Sequence, residues 1–331
     1  MMFAYDDNRQ LISAETAKSK IQHYCPDCAE PVQLKQGSIR IAHFAHLREN
    51  SCQGLSESES QEHLGLKKLF FKAGKIFDEA WEIEHPIQRL SQRPDLLLEE
   101  LAVEIQCSTI KLSRLAERMD GYRKAGFQDW WLLGTKLWPK KSWTALHKYI
   151  CSYHPQKGIY IWMIDAQKIY LRYQIKKMEG EVSFLERTWR LGSTAPTKIF
   201  YSVPLTVKKI RYQEIMVTRQ RHSLEKGIVR ADLQLRPVQQ FFYEQRQHIL
   251  HLPHWFYLPS EFGFLLGEDI LVFRYLFARH KGDPKDIISG FVNYRKAADH
   301  FWQFPRISKS EIIKALYRET TQLSRIKIFR K

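Results

Sequence analysis

The stretch Arg93-Pro94-Asp95-Leu96-Leu97-Leu98-Glu99-Glu100-Leu101-Ala102-Val103-Glu104-Ile105-Gln106 constrains the fold more than any other part of the chain. Two short apolar runs flank a two-acid turn, which predicts a hairpin with strands over 95–98 and 101–106. Residues two apart on a strand share a face. Glu104 and Gln106 therefore point one way, and Ile105 points the other way into a core. Asp95 opens the first strand, so the Asp95 and Glu104 carboxylates can converge on one divalent cation, with the Ile105 carbonyl as a further ligand. Hard oxygen donors suit Mg²⁺ or Mn²⁺. Such an ion activates water and stabilises the charge that grows on a phosphodiester under attack. Gln106 then holds the attacking water or contacts a phosphate. The plainer alternative is two acids on a solvated sheet face. The apolar neighbours weigh against it, because an unpaired carboxylate among them is costly, and a metal or an interior salt bridge relieves that cost.

The flanks predict a mixed sheet covered by helices, an α/β (α+β) fold. Ser56-Glu57-Ser58-Glu59-Ser60 offers N-caps and helix-compatible acids, and a helix runs from near Glu59 to Lys75. It carries Glu59, Glu62, His63 and Lys67, with His63 and Lys67 one turn apart on a shared face. Trp81 to Ile87 reads as a strand, Leu112 to Ala125 as a helix, and Asp129 to Leu133 as a buried strand. The second helix bears Arg114, Arg118 and Tyr122 at a spacing of four, a stripe that can face phosphate. Arg118 can equally pair with an acid on the sheet.

Near the N-terminus, Cys25-Pro26-Asp27-Cys28 forms a C-x2-C knuckle, followed by His43-Phe44-Ala45-His46 and then Cys52. Zinc takes four S/N ligands in a tetrahedron, and such a knuckle delivers two thiolates to one ion. Cys25, Cys28, His46 and Cys52 are the expected ligands, with His43 either replacing His46 or supporting the site. A segment this small buries little core, so a structural metal would supply folding energy. Ordinary cysteines beside a redox-silent turn are the alternative.

Formal net charge is +16 over 331 residues. Residues 1–156 hold 21 Lys+Arg against 20 Asp+Glu, and 157–331 hold 31 against 16, so the excess lies almost wholly in the second half. Aromatics interleave with it, as in Lys208-Lys209-Ile210-Arg211-Tyr212 and Arg274-Tyr275-Leu276-Phe277-Ala278-Arg279. Cations neutralise phosphates and rings stack on unpaired bases, so this mixture suits single-stranded nucleic acid; a solvated basic face is the bland alternative. From about Thr206 the pattern is mainly helical. Leu205 to Leu235 is one long basic helix or two shorter ones, and Leu258-Pro259-Ser260-Glu261 and Asp283-Pro284 are helix starts. No run approaches the roughly 18 apolar residues of a membrane helix, and the N-terminus lacks a signal-peptide core, so a soluble cytoplasmic protein is expected. The organisation expected is a small zinc-ribbon-like module over 1–54, a sheet domain over 55–150 and a basic, mostly helical region over 151–331.

Several motifs then carry a family resemblance. They are Tyr24-Cys25-Pro26-Asp27-Cys28, His43-Phe44-Ala45-His46, Glu59 through Glu62-His63 to Lys67, and Pro94-Asp95 with Glu104-Ile105-Gln106-Cys107-Ser108. Glu117-Arg118-Met119-Asp120-Gly121-Tyr122-Arg123 and Trp130-Trp131-Leu132-Leu133-Gly134 complete the set. In this order, over about residues 1–135, the chain resembles the CoiA family of competence proteins of transformable Gram-positive bacteria. The second half resembles it mostly through Tyr257-Leu258-Pro259-Ser260-Glu261. The resemblance implies a PD-(D/E)xK restriction-endonuclease-like core and a role in handling incoming single-stranded DNA and in recombination during transformation. Gln106 stands where the superfamily pattern usually has lysine, and a neutral amide supplies no charge. Lys67, reaching in from the first helix, is the expected substitute.

The leading expectation is therefore a Mg²⁺- or Mn²⁺-dependent DNA nuclease. Asp95 and Glu104 hold the ion, Gln106 orients water or phosphate, Lys67 assists, and Glu62 and His63 support. Arg114, Arg118, Tyr122, Lys208, Lys209 and Arg211 contact DNA. The rival expectation is a catalytically inactive single-stranded-DNA-binding recombination accessory, or a scaffold for other recombination or competence proteins.

Overall fold

Ser60 accepts a hydrogen bond from the backbone N–H of His63 (3.2 Å) and so caps α1 (Gln61–Lys75). Leu64, Lys67, Phe70 and Gly74 recur at helical spacing and are buried, which turns this face onto the sheet. The computed structural model describes residues 1–331 except 27, 38–40, 48–59, 88–89, 91, 205–208, 301 and 327–331. The expected roles of Cys52, Glu59 and Lys208 lie outside the described residues.

The chain packs as two compact units. The first comprises Met1–Lys140 with Trp162–Leu171 and Arg187–Ser202, and the second Lys141–Ile161, Arg172–Glu186 and Val203–Lys331.

The first unit opens with a five-stranded sheet of β1 (Phe3–Tyr5), β2 (Leu11–Ser13), β3 (His23–Tyr24), β4 (Pro31–Lys35) and β5 (His43–His46), ordered β2-β1-β3-β4-β5. Its core gathers Met1, Ala4, Ala14, Val32 and Phe44. After α1 come β6 (Glu82–Ile83), β7 (Leu96–Leu98), β8 (Leu101–Gln106), α2 (Leu112–Lys124) and β9 (Gln128–Leu133). β6, β7 and β8 pair antiparallel, and β8 pairs β9 in parallel, with α2 as the crossover that a parallel pair requires. Later elements are α3 (Ala145–Ile150), β10 (Ser152–His154), β11 (Gly158–Ile164), β12 (Lys168–Met178), β13 (Glu181–Arg190) and α4 (Pro196–Phe200). The second sheet is ordered β13-β12-β11-β9-β8-β7-β6, with β10 on β11. β8 is buried along its whole length, as suits a central strand covered on both faces.

The hairpin matches its expected place. Leu98 pairs with Leu101 and Leu96 with Val103, which leaves Glu99-Glu100 as the turn. Glu99 has φ +50°, the sign that a two-residue hairpin loop needs at its first position. The strand expected over Trp81–Ile87 is shorter, because Glu84 turns into the left-handed region (φ +52°) directly after β6. Gly74 is required where it stands, since a Cβ there would lie 2.2 Å from the Trp81 ring.

The second unit is mainly helical in its later part: α5 (Glu214–Val229), α6 (Arg236–Glu244), α7 (Gly263–Leu266), α8 (Asp269–Arg279), α9 (Pro284–Ala297) and α10 (Lys309–Leu323). Among the described residues of the basic segment near 205–235, α5 is the helix present, and Lys209 and Arg211 lie exposed in the coil before it. Asp283 caps α9 as expected. No helix begins at Leu258–Glu261. Ser260 Oγ accepts from Phe262 N (3.1 Å) but donates to Glu319 (2.6 Å), and α7 starts later. Arg274, expected on a basic aromatic face, is 1% exposed and donates to the carbonyls of Phe256 (2.6 Å) and Leu258 (2.5 Å).

Phe70 anchors the first unit's core, with its ring edge-on to Trp81 (5.3 Å) and Trp130 (5.6 Å). Phe70→Ala is expected to lower unfolding free energy by about 3–5 kcal/mol; a urea melt of the full chain checks it.

Candidate active site and metal cluster

The β7–β8 register, continued one step beyond Leu96 and Val103, sets Asp95 opposite Glu104. Directly opposed residues of an antiparallel pair project from the same face. The Ile105 N–H donates to Asp95 Oδ2 (2.7 Å) and fixes the acid against the next strand. α1 covers this corner. His63 Nε2 lies 2.9 Å from Asp95 Oδ2, and Lys67 Nζ lies 3.4 Å from Oδ1. Lys67 is fully buried, and its ammonium also bonds Glu84 Oε1 (2.5 Å). Glu84 in turn accepts from the backbone N–H of Met2 (3.1 and 3.0 Å). On the other side, Glu104 Oε1 accepts from Arg118 Nη2 and from the Tyr122 hydroxyl. Arg118 also donates to the Arg93 carbonyl (3.2 Å) and lies over the Trp131 ring.

These surroundings split the two acids. Burial alone raises the Asp95 pKa, but the charges of His63 and Lys67, with the His63 and Ile105 hydrogen bonds, hold it well below the usual carboxylate range. Burial also raises Glu104, and here it prevails. The Asp95 charge adds to it, Arg118 and Tyr122 oppose it, and the carboxyl is pushed up to about 7. Asp95 thus stays ionised while Glu104 titrates near neutrality.

The expected site residues divide accordingly. Asp95, Glu104, His63 and Lys67 come together. Gln106 follows on β8, where its Nε2 donates to the Ser108 carbonyl (2.9 Å). Glu62 does not join them; its carboxylate takes the Thr135 N–H (3.1 Å) and hydroxyl (2.6 Å). On α2, Arg118 takes the alternative of pairing with an acid on the sheet. Tyr122 is buried and Arg118 nearly so, both turned to Glu104, and Arg114 pairs with Glu117 (2.7 Å). Glu84 was not anticipated. Its only sequence signal is an acid between apolar Ile83 and the turn, and the buried Lys67 that partners it becomes apparent only in three dimensions.

Hard-cation chemistry is compatible with this corner, since both acids offer carboxylate oxygens. Among the described residues the hydrogen bonds to Glu104 fall on Oε1 alone. A cation there would share the acids with His63, Lys67 and Arg118.

The second cluster sits in the N-terminal sheet. Tyr24 pairs with Pro31, so the cysteine knuckle forms the turn between β3 and β4, and Val32 pairs with His46 to bring β5 alongside. Ala29 takes φ +57° and donates to the Cys25 carbonyl (2.9 Å), closing the knuckle. The ligand atoms of Cys25, Cys28 and His46 lie within 4.8 Å of one another, with Cys28 Sγ 3.3 Å from His46 Nε2. His43 turns its Nδ1 to the Ile41 carbonyl (2.8 Å) instead. Two thiolates and an imidazole can bind a metal ion.

A family model described as "Competence protein CoiA, N-terminal domain" matches residues 6–54, and "Competence protein CoiA, nuclease-like domain" matches residues 59–202. The chain belongs to the CoiA competence protein family. Competence protein CoiA of Bacillus subtilis (strain 168) is 33% identical over 115 residues, which cover 34% of this chain and 31% of that protein. The match thus spans about a third of that relative's length. No solved structure matches the chain. Among the described residues no helix is long and apolar enough to cross a membrane.

Removing Lys67 takes the shared ammonium from two buried carboxylates, so Lys67→Ala is expected to cost about 3–5 kcal/mol, the scale for breaking a buried pair. Lys67→Met combined with Glu84→Gln should recover part of it in the same chemical melt. Metal analysis of the purified protein is expected to find about one equivalent of a thiophilic ion, lost in Cys28→Ala and in His46→Ala. A metal content unchanged in both variants would dissociate the cluster from metal binding.

Proposed function

We propose that this chain is a competence-associated DNA-processing protein of the cytoplasm that hydrolyses phosphodiester bonds during uptake or recombination. The observation that carries this reading is the meeting of Asp95 and Glu104 from adjacent strands beside the buried Lys67, in the segment matching a nuclease-like domain. Asp95 and Glu104 would hold Mg²⁺ or Mn²⁺, which when bound polarises water and offsets charge on the phosphate. The chain's own groups do the rest. His63, Lys67 and the Ile105 N–H orient Asp95 and keep it ionised. Arg118 and Tyr122 fix the Glu104 carboxylate. Lys67 supplies the positive charge that Gln106 lacks, and the Gln106 carbonyl is left to accept from a water, since its amide is committed to Ser108. The Cys25, Cys28 and His46 cluster takes zinc as a structural ion, with Cys52 as fourth ligand. The basic second half holds a single strand, with the exposed Lys209 and Arg211 among its contacts.

A second reading is DNA binding without cleavage, in which the chain serves as a recombination accessory or scaffold for competence proteins. It is favoured by the cations already paired with each acid, Lys67 and His63 on Asp95 and Arg118 on Glu104. These balance the buried charge by themselves.

One assay separates the two. Single- and double-stranded DNA are incubated with the full chain and Mg²⁺ or Mn²⁺, beside Asp95→Ala and Glu104→Ala. The proposal expects metal-dependent cleavage that falls by about two orders of magnitude or more in each variant, the scale of losing one charge-stabilising group. Tight, salt-sensitive binding without cleavage, retained in both variants, would overturn it in favour of the second reading.

A further inference from the structure

A cavity of about 520 Å³ opens within the first unit between the outer side of α1 and the turns around Gln167 and Leu191. Lys72, Lys168 and Arg190 line it together with Leu69, Ile76 and Gly192, and no acidic side chain does. Two earlier lysines of the same helix are neutralised, Lys67 by Glu84 and Lys68 by Glu15, whereas Lys75 lies over the Phe71 ring. Among the described residues, Lys72, Lys168 and Arg190 have no such acid. Asp165, the acid beside the first turn, is committed to it. Its carboxylate takes the N–H groups of Gln167 and Lys168 (both 2.7 Å) and the Tyr170 hydroxyl (2.6 Å).

Three uncompensated cations around one cavity repel each other and attract an anion. The carboxyl end of α1 opposes this with roughly half a negative charge, which three whole positive charges outweigh. Leu69 (37% exposed) and Ile76 (64% exposed) give the rim an apolar edge. Cations for phosphates next to an apolar surface for sugars and bases is the combination that holds a nucleic-acid strand without reading its sequence. Leu69, Lys72 and Ile76 recur on the face of α1 opposite His63 and Lys67. The cavity is therefore separate from the acidic corner.

We propose that this cavity is a phosphate-binding site that anchors the backbone of a single DNA strand through Lys72, Lys168 and Arg190. The inference rests on the DNA-handling reading above and extends it to a second site. Its chemistry is shared by free phosphates, so the test carries arms for both.

Binding of a fluorescein-labelled single-stranded oligonucleotide is measured by anisotropy with the full chain in buffer without Mg²⁺ or Mn²⁺, across a salt series. The triple variant Lys72→Gln, Lys168→Gln, Arg190→Gln is compared with a charge-matched control, Lys18→Gln, Lys20→Gln, Lys35→Gln. Thermal melts verify that both fold. Losing three phosphate contacts should flatten the slope of log K against log salt by about 2, and weaken binding at low salt at least about tenfold, in the cavity variant alone. Equal slopes in the two triple variants would overturn the site. So would displacement of the oligonucleotide from the wild type by inorganic phosphate or a deoxynucleoside monophosphate at concentrations as low as those of unlabelled strand, which would mark a small-anion site. Displacement by an acidic polypeptide as readily as by the strand would overturn it in favour of a protein partner. Omitting Mg²⁺ and Mn²⁺ removes cleavage from the measurement, so failure of this site and failure of the nuclease reading give different results.

Discussion

An ammonium with no exposed surface must have carboxylates around it, and Lys67 has two. It reaches Glu84 at 2.5 Å and Asp95 at 3.4 Å. Much of the first unit is arranged to make that contact possible. The helical spacing of α1 aims Lys67 and His63 at the sheet, and the left-handed turn at Glu84 swings its carboxylate inward. The Ile105 N–H then pins Asp95 from the adjoining strand. An interior ion pair is seldom the cheapest way to fill space, because desolvation offsets much of its attraction. Retaining one beside two further buried acids is more readily understood as positioning than as stabilisation.

The charge around the hairpin is unevenly shared. Asp95 has two cationic neighbours and a backbone donor, while Glu104 has one arginine, one phenol and a nearby negative charge. Two carboxylates of like intrinsic acidity are thereby driven to opposite ends of the carboxylate range, a pattern common where acids differ in task. Arg118 and Tyr122 serve this division. Their spacing allows a DNA-facing stripe or, for Arg118, a pairing with an acid on the sheet, and the second is what forms.

What was legible in the sequence was local. The two-acid turn between two short apolar runs located β7 and β8, the Ser/Glu run before residue 61 marked the approach to α1, and Asp283 the start of α9. The convergence of Asp95, Glu104, His63 and Lys67 followed from period two on the strands and i, i+4 on the helix. What was not legible depended on partners far along the chain. Ser260 has the composition of a helix cap, but Glu319 claims its hydroxyl. Arg274 sits in a basic aromatic run, but backbone carbonyls of Phe256 and Leu258 draw it inside. Glu84 carries no periodic signal at all, because its role arises from a backbone reversal and a lysine on another element.

The hydrogen bonds from Met2 to Glu84 reach further than their size suggests. They tie the first strand of the cysteine-bearing sheet to the same carboxylate that steadies Lys67. An excised fragment beginning at α1 would keep every residue of the acidic corner and still strip Glu84 of the Met2 N–H that both its oxygens share. Domain dissection of this protein would therefore alter the corner it set out to isolate.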